Sequence, residues 1–361
     1  MTVYLVDLEA VETRYTAQWK QYLPDQMKSA GMEVVVISGG EVPQATTPGA
    51  FLNFAGTNSY KSQQLLQISE LFANGTVKAG DYFLYTDAWN PTIIQVKYMS
   101  ELLGIPVKLG GMWHAGSYDP QDFLGRLIGD TPWVRNAESS MFYCYDHNFF
   151  ATKFHLDMFC LNLFDEPSSD EFMEWHKDRI HIVGWPMEYL NDILAPYVNT
   201  IKKNKIIFPH RLAPEKQLEI FRDLAASMPE YEWFVAQDHQ LSKHEYHTHL
   251  AESKIVFSAN LQETLGISVY EGAIVGTYPL VPNRLSYDEM WDTFFKYSTD
   301  WTKNWDHYLR NKNRLIERIH NIIGSNNVDL PGTIKNLNNA STSNFFNGEK
   351  LYETIMSSND A

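Results

Sequence analysis

The hydrophobic positions of the chain form short, nearly continuous runs that alternate with longer amphipathic stretches. An apolar run at 3–6 precedes an amphipathic stretch over 15–30, and a β-branched run at 33–37 follows it and ends at Gly39-Gly40. Continuous apolar strands separated by helices are typical of a parallel sheet that helices cover on both faces. The pattern therefore predicts a βαβ unit at the start of an α/β fold.

The same alternation continues to residue 163 and begins again after a Gly-Trp-Pro break at 184–186. It predicts two successive doubly wound halves that face each other across a cleft. We therefore predict an N-terminal domain at 1–185, a C-terminal domain at 186–340 and a tail with a helix at 341–361. The further predicted elements are strands at 82–85, 107–112, 205–208, 233–236, 254–258 and 278–281, helices at 62–72, 93–103, 214–228, 267–275, 304–323 and 349–356, and a loop at 325–347.

Composition narrows the classes of function. The 361 residues have a formal net charge of −15, and residues 1–183 hold 22 acidic and 12 basic side chains. Tight non-specific binding of nucleic acid needs Lys and Arg to displace counterions from phosphates, so this charge disfavours it. The chain has two cysteines, no apolar run of about 20 residues, and no leader that combines basic residues with an apolar run. We therefore predict a protein without a membrane span, located in the cytoplasm, or in the host cytoplasm if it is viral.

The segment 262–279 holds the most specific candidate chemistry. It begins Gln-Glu-Thr-Leu-Gly-Ile-Ser-Val-Tyr-Glu and continues Gly-Ala-Ile-Val-Gly-Thr-Tyr-Pro. A helix that begins behind Gly266 offers unpaired N–H groups, at Ile267 and Ser268, to a phosphate. Glu271, one to two turns into that helix, can accept hydrogen bonds from two ribose hydroxyls. Glu263, before the turn, would face the sugar that a diphosphate carries.

Two cations follow the strand predicted at 205–208. Arg211 and Lys216 lie five residues apart, and Pro214 can open the next helix. Two cations at the end of a parallel strand can clamp a diphosphate and neutralise the charge that builds up on a leaving group. Taken alone, an Arg and a Lys at a helix start are also ordinary surface charges.

Together these segments resemble the retaining GT-B glycosyltransferases of the family-4 type. The first resembles their E-x7-E motif, E-x-F-G-x-x-x-x-E-A-x-x-x-G-x-P, with Leu265 at the aromatic position, Gly272 at the Ala position and Pro279 one residue late. The second resembles their G-R-L-x-x-E-K-G segment, with His210 and Gln217 in place of the two glycines. The resemblance is specific over about 203–285.

This resemblance implies a GT-B fold, with an acceptor-binding domain at 1–185 and a nucleotide-sugar-binding domain at 186–340. It also implies transfer of a sugar, with retention, from a nucleotide sugar to an acceptor hydroxyl. A UDP-sugar is the favoured donor, and no cofactor or metal is implied. In this family the leaving phosphate itself assists deprotonation of the incoming hydroxyl. Arg211 and Lys216 would then stabilise the departing diphosphate.

The segment 110–119 is the candidate for the acceptor side. It follows a strand and reads Gly-Gly-Met-Trp-His-Ala-Gly-Ser-Tyr-Asp. The resemblance implies that His114 lies beside the reacting sugar, with Asp119 as a possible partner; a structural histidine that caps a loop is the alternative. Asp87, after the preceding strand, is a further candidate for binding a hydroxyl.

Two short fragments, at 209–211 and 278–287, resemble enzymes that glycosylate queuosine in tRNA and viral glycosyltransferases that act on hydroxymethylated DNA bases. They suggest a hydroxymethylated base in DNA as the acceptor. A tRNA base, a saccharide and a small molecule are the alternatives. The basic clusters at 202–205 and 310–318 are either contacts for such an acceptor or solvated faces.

The histidines at 239, 244, 247 and 249 are irregularly spaced and lie in a solvated segment that forms either a helix or a loop, so we predict no metal site there. Two other classes of function remain open. One is a sugar-nucleotide-binding protein without catalysis, and the other is a sugar-phosphate synthase or phosphorylase of the same fold.

Overall fold

A computed structural model describes residues 1–10, 15–43, 45, 52–114, 116–129, 131–324 and 342–358. The chain divides into two compact units. The first comprises the described residues of Met1–Met187 and of Asn347–Ala361, and the second those of Glu188–Phe346. The last helix of the chain therefore belongs to the first unit.

The first unit is built on a sheet of six parallel strands in the order β2-β1-β3-β4-β5-β6. All four residues of β3 are buried, as expected for a central strand that is covered on both faces. The strands are β1 Thr2–Val6, β2 Glu33–Ile37, β3 Tyr82–Tyr85, β4 Lys108–Met112, β5 His147–Phe150 and β6 Ile180–Ile182. The helices are α1 Tyr15–Ser29, α2 Phe54–Ala73, α3 Thr92–Leu103, α4 Phe123–Leu127, α5 Pro132–Cys144, α6 Lys153–Phe164 and α7 Asp170–Trp175, together with the last helix, Glu349–Ser357.

The second unit has a sheet of five parallel strands in the order β11-β10-β9-β7-β8. The strands are β7 Lys203–Phe208, β8 Glu232–Val235, β9 Ser253–Phe257, β10 Tyr278–Pro282 and β11 Lys296–Tyr297. The helices are α8 Tyr189–Leu194, α9 Leu218–Ser227, α10 Lys243–Glu252, α11 Ile267–Ile274, α12 Tyr287–Met290 and α13 Trp305–Gly324, and the helix Glu349–Ser357 of the first unit is α14.

Both sheets contain a point at which the strand order reverses. In the first, β1 lies between β2 and β3, and in the second, β7 lies between β8 and β9. The loops that leave two such neighbouring strands turn to opposite faces of the sheet and open a crevice at the carboxyl ends of the strands. The candidate residues after β3, β7 and β9 therefore follow strands that flank these two crevices.

The predicted α/β class is confirmed, but one predicted helix of the second unit is wrong and one segment that was left open is now assigned. The helix predicted at 214–228 is a 3-10 turn, Pro214–Lys216, followed by Gln217 in a left-handed conformation and then by α9. The segment 243–252, left open as a helix or loop, forms α10, which a capping box between Ser242 and Glu245 starts. Most of the predicted loop at 325–347 falls on residues 325–341, outside the described residues.

Candidate active site

The loop after β7 presents two cations in different environments. Arg211 is partly exposed, and its Nη2 donates to Glu215 Oε1 at 2.6 Å. Lys216 is buried, with 5% of its surface exposed. Between β7 and these cations, His210 is also buried, and its Nε2 lies 3.1 Å from the carbonyl oxygen of Phe257. Because a carbonyl oxygen can only accept, Nε2 of His210 carries a proton.

Lys216 joins this loop to the loop after β9. Its Nζ donates to the carbonyl oxygen of Gln262 at 2.6 Å and lies 3.4 Å from Glu263 Oε2. The N–H of Leu261 donates to the carbonyl oxygen of Glu215 at 2.8 Å. The fold thus brings together the predicted cation loop and the predicted carboxylate loop, which are far apart in the chain.

Gln217 fixes the end of the cation loop. Its backbone is left-handed, with φ of 51°, a conformation that glycine adopts freely and that costs other residues roughly 1–2 kcal/mol. The side-chain Nε2 donates to the carbonyl oxygens of Ala259 and Thr302 at 2.6 and 2.7 Å. These two buried hydrogen bonds offset the backbone cost. They give a physical reason for a Gln at a position where the motif that it resembles has a Gly.

Glu263 is held as a carboxylate by three donors. Its Oε1 accepts from the N–H of Gly266 at 3.0 Å, and its Oε2 accepts from Asn260 Nδ2 at 3.1 Å beside Lys216. Burial by itself raises the pKa of Glu263, but the charge of Lys216 and the hydrogen bond from the Gly266 N–H outweigh burial and lower the pKa below its ordinary value. Glu263 is therefore ionised at neutral pH.

Gly266 is required by the backbone at the start of α11. Its φ is 77°, and a Cβ placed there would lie 2.7 Å from Cε1 of Tyr287. Both the conformation and the space exclude a side chain. The next residues, Ile267 and Ser268, open α11, so their N–H groups have no acceptor within the helix.

Glu271 lies in α11 with 5% of its surface exposed. Tyr246 of α10 donates from its hydroxyl to Glu271 Oε2 at 3.1 Å, and His247 Nε2 lies 3.9 Å from Glu271 Oε1. Two neighbouring residues of α10 therefore fix the orientation of this carboxylate. No pattern in the sequence pointed to Tyr246, because the segment that forms α10 was interpreted only as either a helix or a loop.

A second set of contacts supports the loop after β9, and the sequence did not predict it. Arg284, which follows β10, donates to the carbonyl oxygens of Asn260 at 2.8 Å and Ala259 at 2.7 Å. Asn260 in turn contacts Glu263. The only hint in the sequence was the Pro-Asn-Arg turn at 282–284, which marks the end of a strand but not its partner.

The histidines of 239–249 point to different partners. His244 Nδ1 lies 2.7 Å from the hydroxyl of Tyr197, and His249 Nδ1 lies 2.6 Å from Lys205 Nζ. Among the residues that the structure describes, no three His, Cys, Asp or Glu side chains form a group that could hold a metal ion.

The basic run at 202–205 is engaged within the second unit. Lys202 Nζ donates to the carbonyl oxygen of Ala251, in the last turn of α10, and to the carbonyl oxygen of Val275, which directly follows α11. Lys203 and Lys205 both pair with Glu252, at 2.6 and 3.4 Å. The ammonium groups of this run are therefore occupied by oxygen atoms of the protein itself.

In the first unit, His114 follows β4 and lies among aromatic rings. The centroids of Tyr15, Trp19 and Trp185 lie 5.7, 5.5 and 5.1 Å from that of its ring. Its Nε2 lies 2.6 Å from the carbonyl oxygen of Thr86, so this nitrogen carries a proton, and its Nδ1 lies 2.8 Å from the hydroxyl of Tyr15. In the neutral ring, Nδ1 accepts from Tyr15.

The two acidic candidates of the first unit have other partners. The ring nitrogens of His114 face Tyr15 and Thr86 rather than Asp119, which is buried and accepts from the N–H of Gln121 at 2.9 Å. Asp87 lies 3.7 Å from Lys61 Nζ and accepts from a backbone N–H two residues on, at 3.1 Å. The structure thus brings Thr86, Asp87 and His114 to one end of the sheet.

Acid is expected to destabilise the protein partly through His210. Burial, followed by the charge of Lys216, lowers the pKa of His210 from 6.5 to about 3. Between these two values an unfolded His210 binds a proton and the folded one does not, so the free energy of unfolding falls as pH falls through this window. In His210→Asn, the slope of that free energy against pH should be smaller by up to about 1.4 kcal/mol per pH unit.

Urea unfolding of the wild type and of His210→Asn at several pH values between about 6 and 5 measures this slope. This pH range lies above the ordinary pKa values of carboxylates. His147 and His155, whose pKa values burial lowers to about 4 and about 3, remain in the variant and keep part of the slope. Equal slopes for the two proteins would contradict the assignment of a neutral His210.

Comparison with known proteins finds likeness in structure alone. No protein-family model matches the sequence, and no curated protein matches it. The catalytic domain of starch synthase IV from Arabidopsis thaliana, bound to ADP and acarbose, is 9% identical, with a TM-score of 0.60 and coverage of 100% of this chain and 99% of that chain. Anabaena HepE in complex with UDP-glucose is 10% identical, with a TM-score of 0.56 and coverage of 99% and 98%.

The chain has the GT-B fold. A third similar structure, the GtfA/B complex, is 13% identical with a TM-score of 0.51, and the match covers 83% of this chain. The chain spans 61% of the length of that one. In the described part of the chain, no helix is both long enough and apolar enough to cross a membrane.

Proposed function

We propose that this protein is a glycosyltransferase that moves a sugar, with retention, from a nucleotide sugar to an acceptor hydroxyl. The observation that carries the proposal is the joining of the two strand-end loops of the second unit by Lys216 and Glu263, next to the first turn of α11. These loops leave β7 and β9, at the reversal of strand order where α/β sheets bind nucleotides. The likeness to structures that hold UDP-glucose and ADP supports a nucleotide-sugar donor, and we favour a UDP-sugar.

In this proposal the second unit binds the donor. Arg211 and Lys216 contact the diphosphate, and the N–H groups at the start of α11 add to that site. Glu271, oriented by Tyr246, accepts hydrogen bonds from the two ribose hydroxyls. Glu263, ionised and fixed before Gly266, faces the sugar.

The reaction breaks the bond between the anomeric carbon and the β-phosphate oxygen. The acceptor oxygen forms its bond to the same carbon on the same face, and its proton passes to an oxygen of the leaving phosphate. Because negative charge develops on the diphosphate, Arg211 and Lys216 stabilise the transition state more than the bound donor. No nucleophilic side chain takes part.

The first unit would bind the acceptor, with Asp87, His114 and Asp119 as candidate residues. The fragmentary resemblance at 209–211 and 278–287 suggests a hydroxymethylated DNA base or a tRNA base. Two observations favour a saccharide or small molecule instead. The first half of the chain is acidic, and the lysines at 202–205 are occupied within the protein.

Incubation of the purified protein with UDP-, ADP- and GDP-sugars tests the proposal. Each donor is supplied alone and with hydroxymethylated DNA, tRNA or simple sugars, and nucleotide release and product are measured. NMR of the anomeric proton distinguishes retention from inversion. Nucleotide binding without release or transfer would identify a non-catalytic binding protein, and a small phosphorylated sugar as product would indicate a sugar-phosphate synthase or phosphorylase.

A further inference from the structure

Glu9 is a buried carboxylate without a hydrogen-bond partner among the described residues. It follows β1, and 6% of its surface is exposed. Both carboxylate oxygens are buried, and neither has a hydrogen-bond partner in the described part of the chain. A buried carboxylate that lacks donors is strongly unfavourable, so such a group persists in a folded protein only for a reason other than stability.

Asp7, another buried carboxylate of the same unit, shows how the fold can supply hydrogen-bond donors to such a group. Asp7, two residues earlier, accepts from the hydroxyl of Tyr60 at 2.5 Å and from Gln64 Nε2 at 3.1 Å, and it pairs with Lys20 at 3.3 Å. The fold can therefore supply donors at this end of the sheet, but no described residue supplies one to Glu9. We interpret this difference between Asp7 and Glu9 as the mark of a site at which a bound ligand donates the hydrogen bonds to Glu9.

The position of Glu9 in the chain puts it near the carboxyl end of β1, which borders the crevice of the first sheet. It lies three residues after the end of β1, so its Cα is at most about 11 Å from that of Val6. The carbonyl oxygen of Val6 accepts from the N–H of Thr86 at 3.1 Å, and the carbonyl oxygen of Thr86 lies 2.6 Å from His114 Nε2. Glu9 thus shares the carboxyl end of β1 and β3, where the strand order reverses, with the candidate acceptor residues.

We propose that Glu9 binds hydroxyl groups of a saccharide acceptor, an inference that rests on the proposed function. A carboxylate has two oxygens, each of which accepts hydrogen bonds, and vicinal hydroxyls of a sugar present two donors at a matching spacing. A nucleic acid would instead bring phosphates toward an acidic half of the chain. The acceptor is therefore an uncharged, hydroxyl-rich molecule.

The test compares Glu9→Gln and Glu9→Leu with the wild type. A residue kept for binding at a cost to stability has a distinctive signature: its replacement stabilises the protein while it weakens function. We expect the urea midpoint of both variants to rise. With the donor that the wild type turns over, and with glucose, galactose, mannose or maltose as acceptor, we expect the acceptor KM to rise at least tenfold, as for loss of hydrogen bonds to a charged group.

Asp7→Asn is the matched control, because it alters a buried carboxylate at the same strand end that does have partners. Its urea midpoint should fall. A fall for Glu9→Gln as well would assign Glu9 a structural role and overturn the inference. So would an unchanged acceptor KM, or transfer by the wild type only to hydroxymethylated DNA or tRNA. Release of no nucleotide from any donor by the wild type would refute the proposed function itself, and the acceptor role of Glu9 with it.

Discussion

Arg211→Ala and Lys216→Ala are each expected to lower the kcat of sugar transfer by about 10²- to 10³-fold, the effect of removing one preorganised group that stabilises transition-state charge. The two cations lie on one short loop that Gln217 and Leu261 tie to the loop after β9. Because their charge acts on the departing diphosphate, kcat should change more than the donor KM. Steady-state kinetics of nucleotide release measures both.

Lys205→Ala is the control for Lys216→Ala, because it also removes a buried lysine. Lys205 has 1% of its surface exposed and pairs with Glu232 at 3.0 Å and with Glu252, but it lies toward the start of β7, away from the strand end that leads to the candidate loop. Both variants remove a buried lysine from its ion pair with a partly exposed carboxylate, so both should lose stability. A loss of kcat as large in Lys205→Ala as in Lys216→Ala would attribute the effect to folding.

His114→Ala separates electrostatic stabilisation of the leaving group from general base catalysis. Because Nε2 of His114 carries a proton directed at a carbonyl oxygen and Nδ1 faces Tyr15, the ring is not arranged as a free base. We expect a kcat loss of about tenfold or less, below the 10²- to 10⁴-fold that general acid–base catalysis supplies. A larger loss than in Lys216→Ala would reverse the assignment.

Glu271→Ala is expected to weaken binding of UDP by about 10- to 100-fold, the equivalent of hydrogen bonds between two hydroxyls and a charged acceptor. The side chain is buried in α11 and held by Tyr246, so it is preorganised and loses little freedom when ribose binds. Isothermal titration calorimetry with UDP measures the change without any need for an acceptor.

Tyr246→Phe tests how Glu271 is oriented. It removes one hydroxyl and keeps the ring, so binding of UDP should weaken by only a few fold while the carboxylate stays in place. The urea midpoints of both variants report whether the second unit remains folded. Wild-type affinity in Glu271→Ala would exclude Glu271 as the ribose ligand.

The alternation of apolar runs was sufficient to predict the α/β class and nearly all of the strands. It succeeds because parallel strands buried on both faces must be apolar throughout, a local property that any sequence window shows. It failed at 214–228, where the choice between one helix and a turn followed by a helix depends on the left-handed Gln217. That conformation is stabilised by carbonyl oxygens at 259 and 302, distant in the chain, so no local signal predicts it.

The sequence by itself determined the class of the fold and the order of its candidate chemistry: a cation loop after one strand and a carboxylate loop after another. Spacing within a motif is local, so it can be read from the chain. Only the tertiary structure decided that Lys216 meets Glu263, that Tyr246 holds Glu271, and that Glu9 is buried without a hydrogen-bond partner in the described part of the chain. Those facts depend on which strand ends become neighbours, and strand order is set by packing of the whole sheet rather than by any one segment.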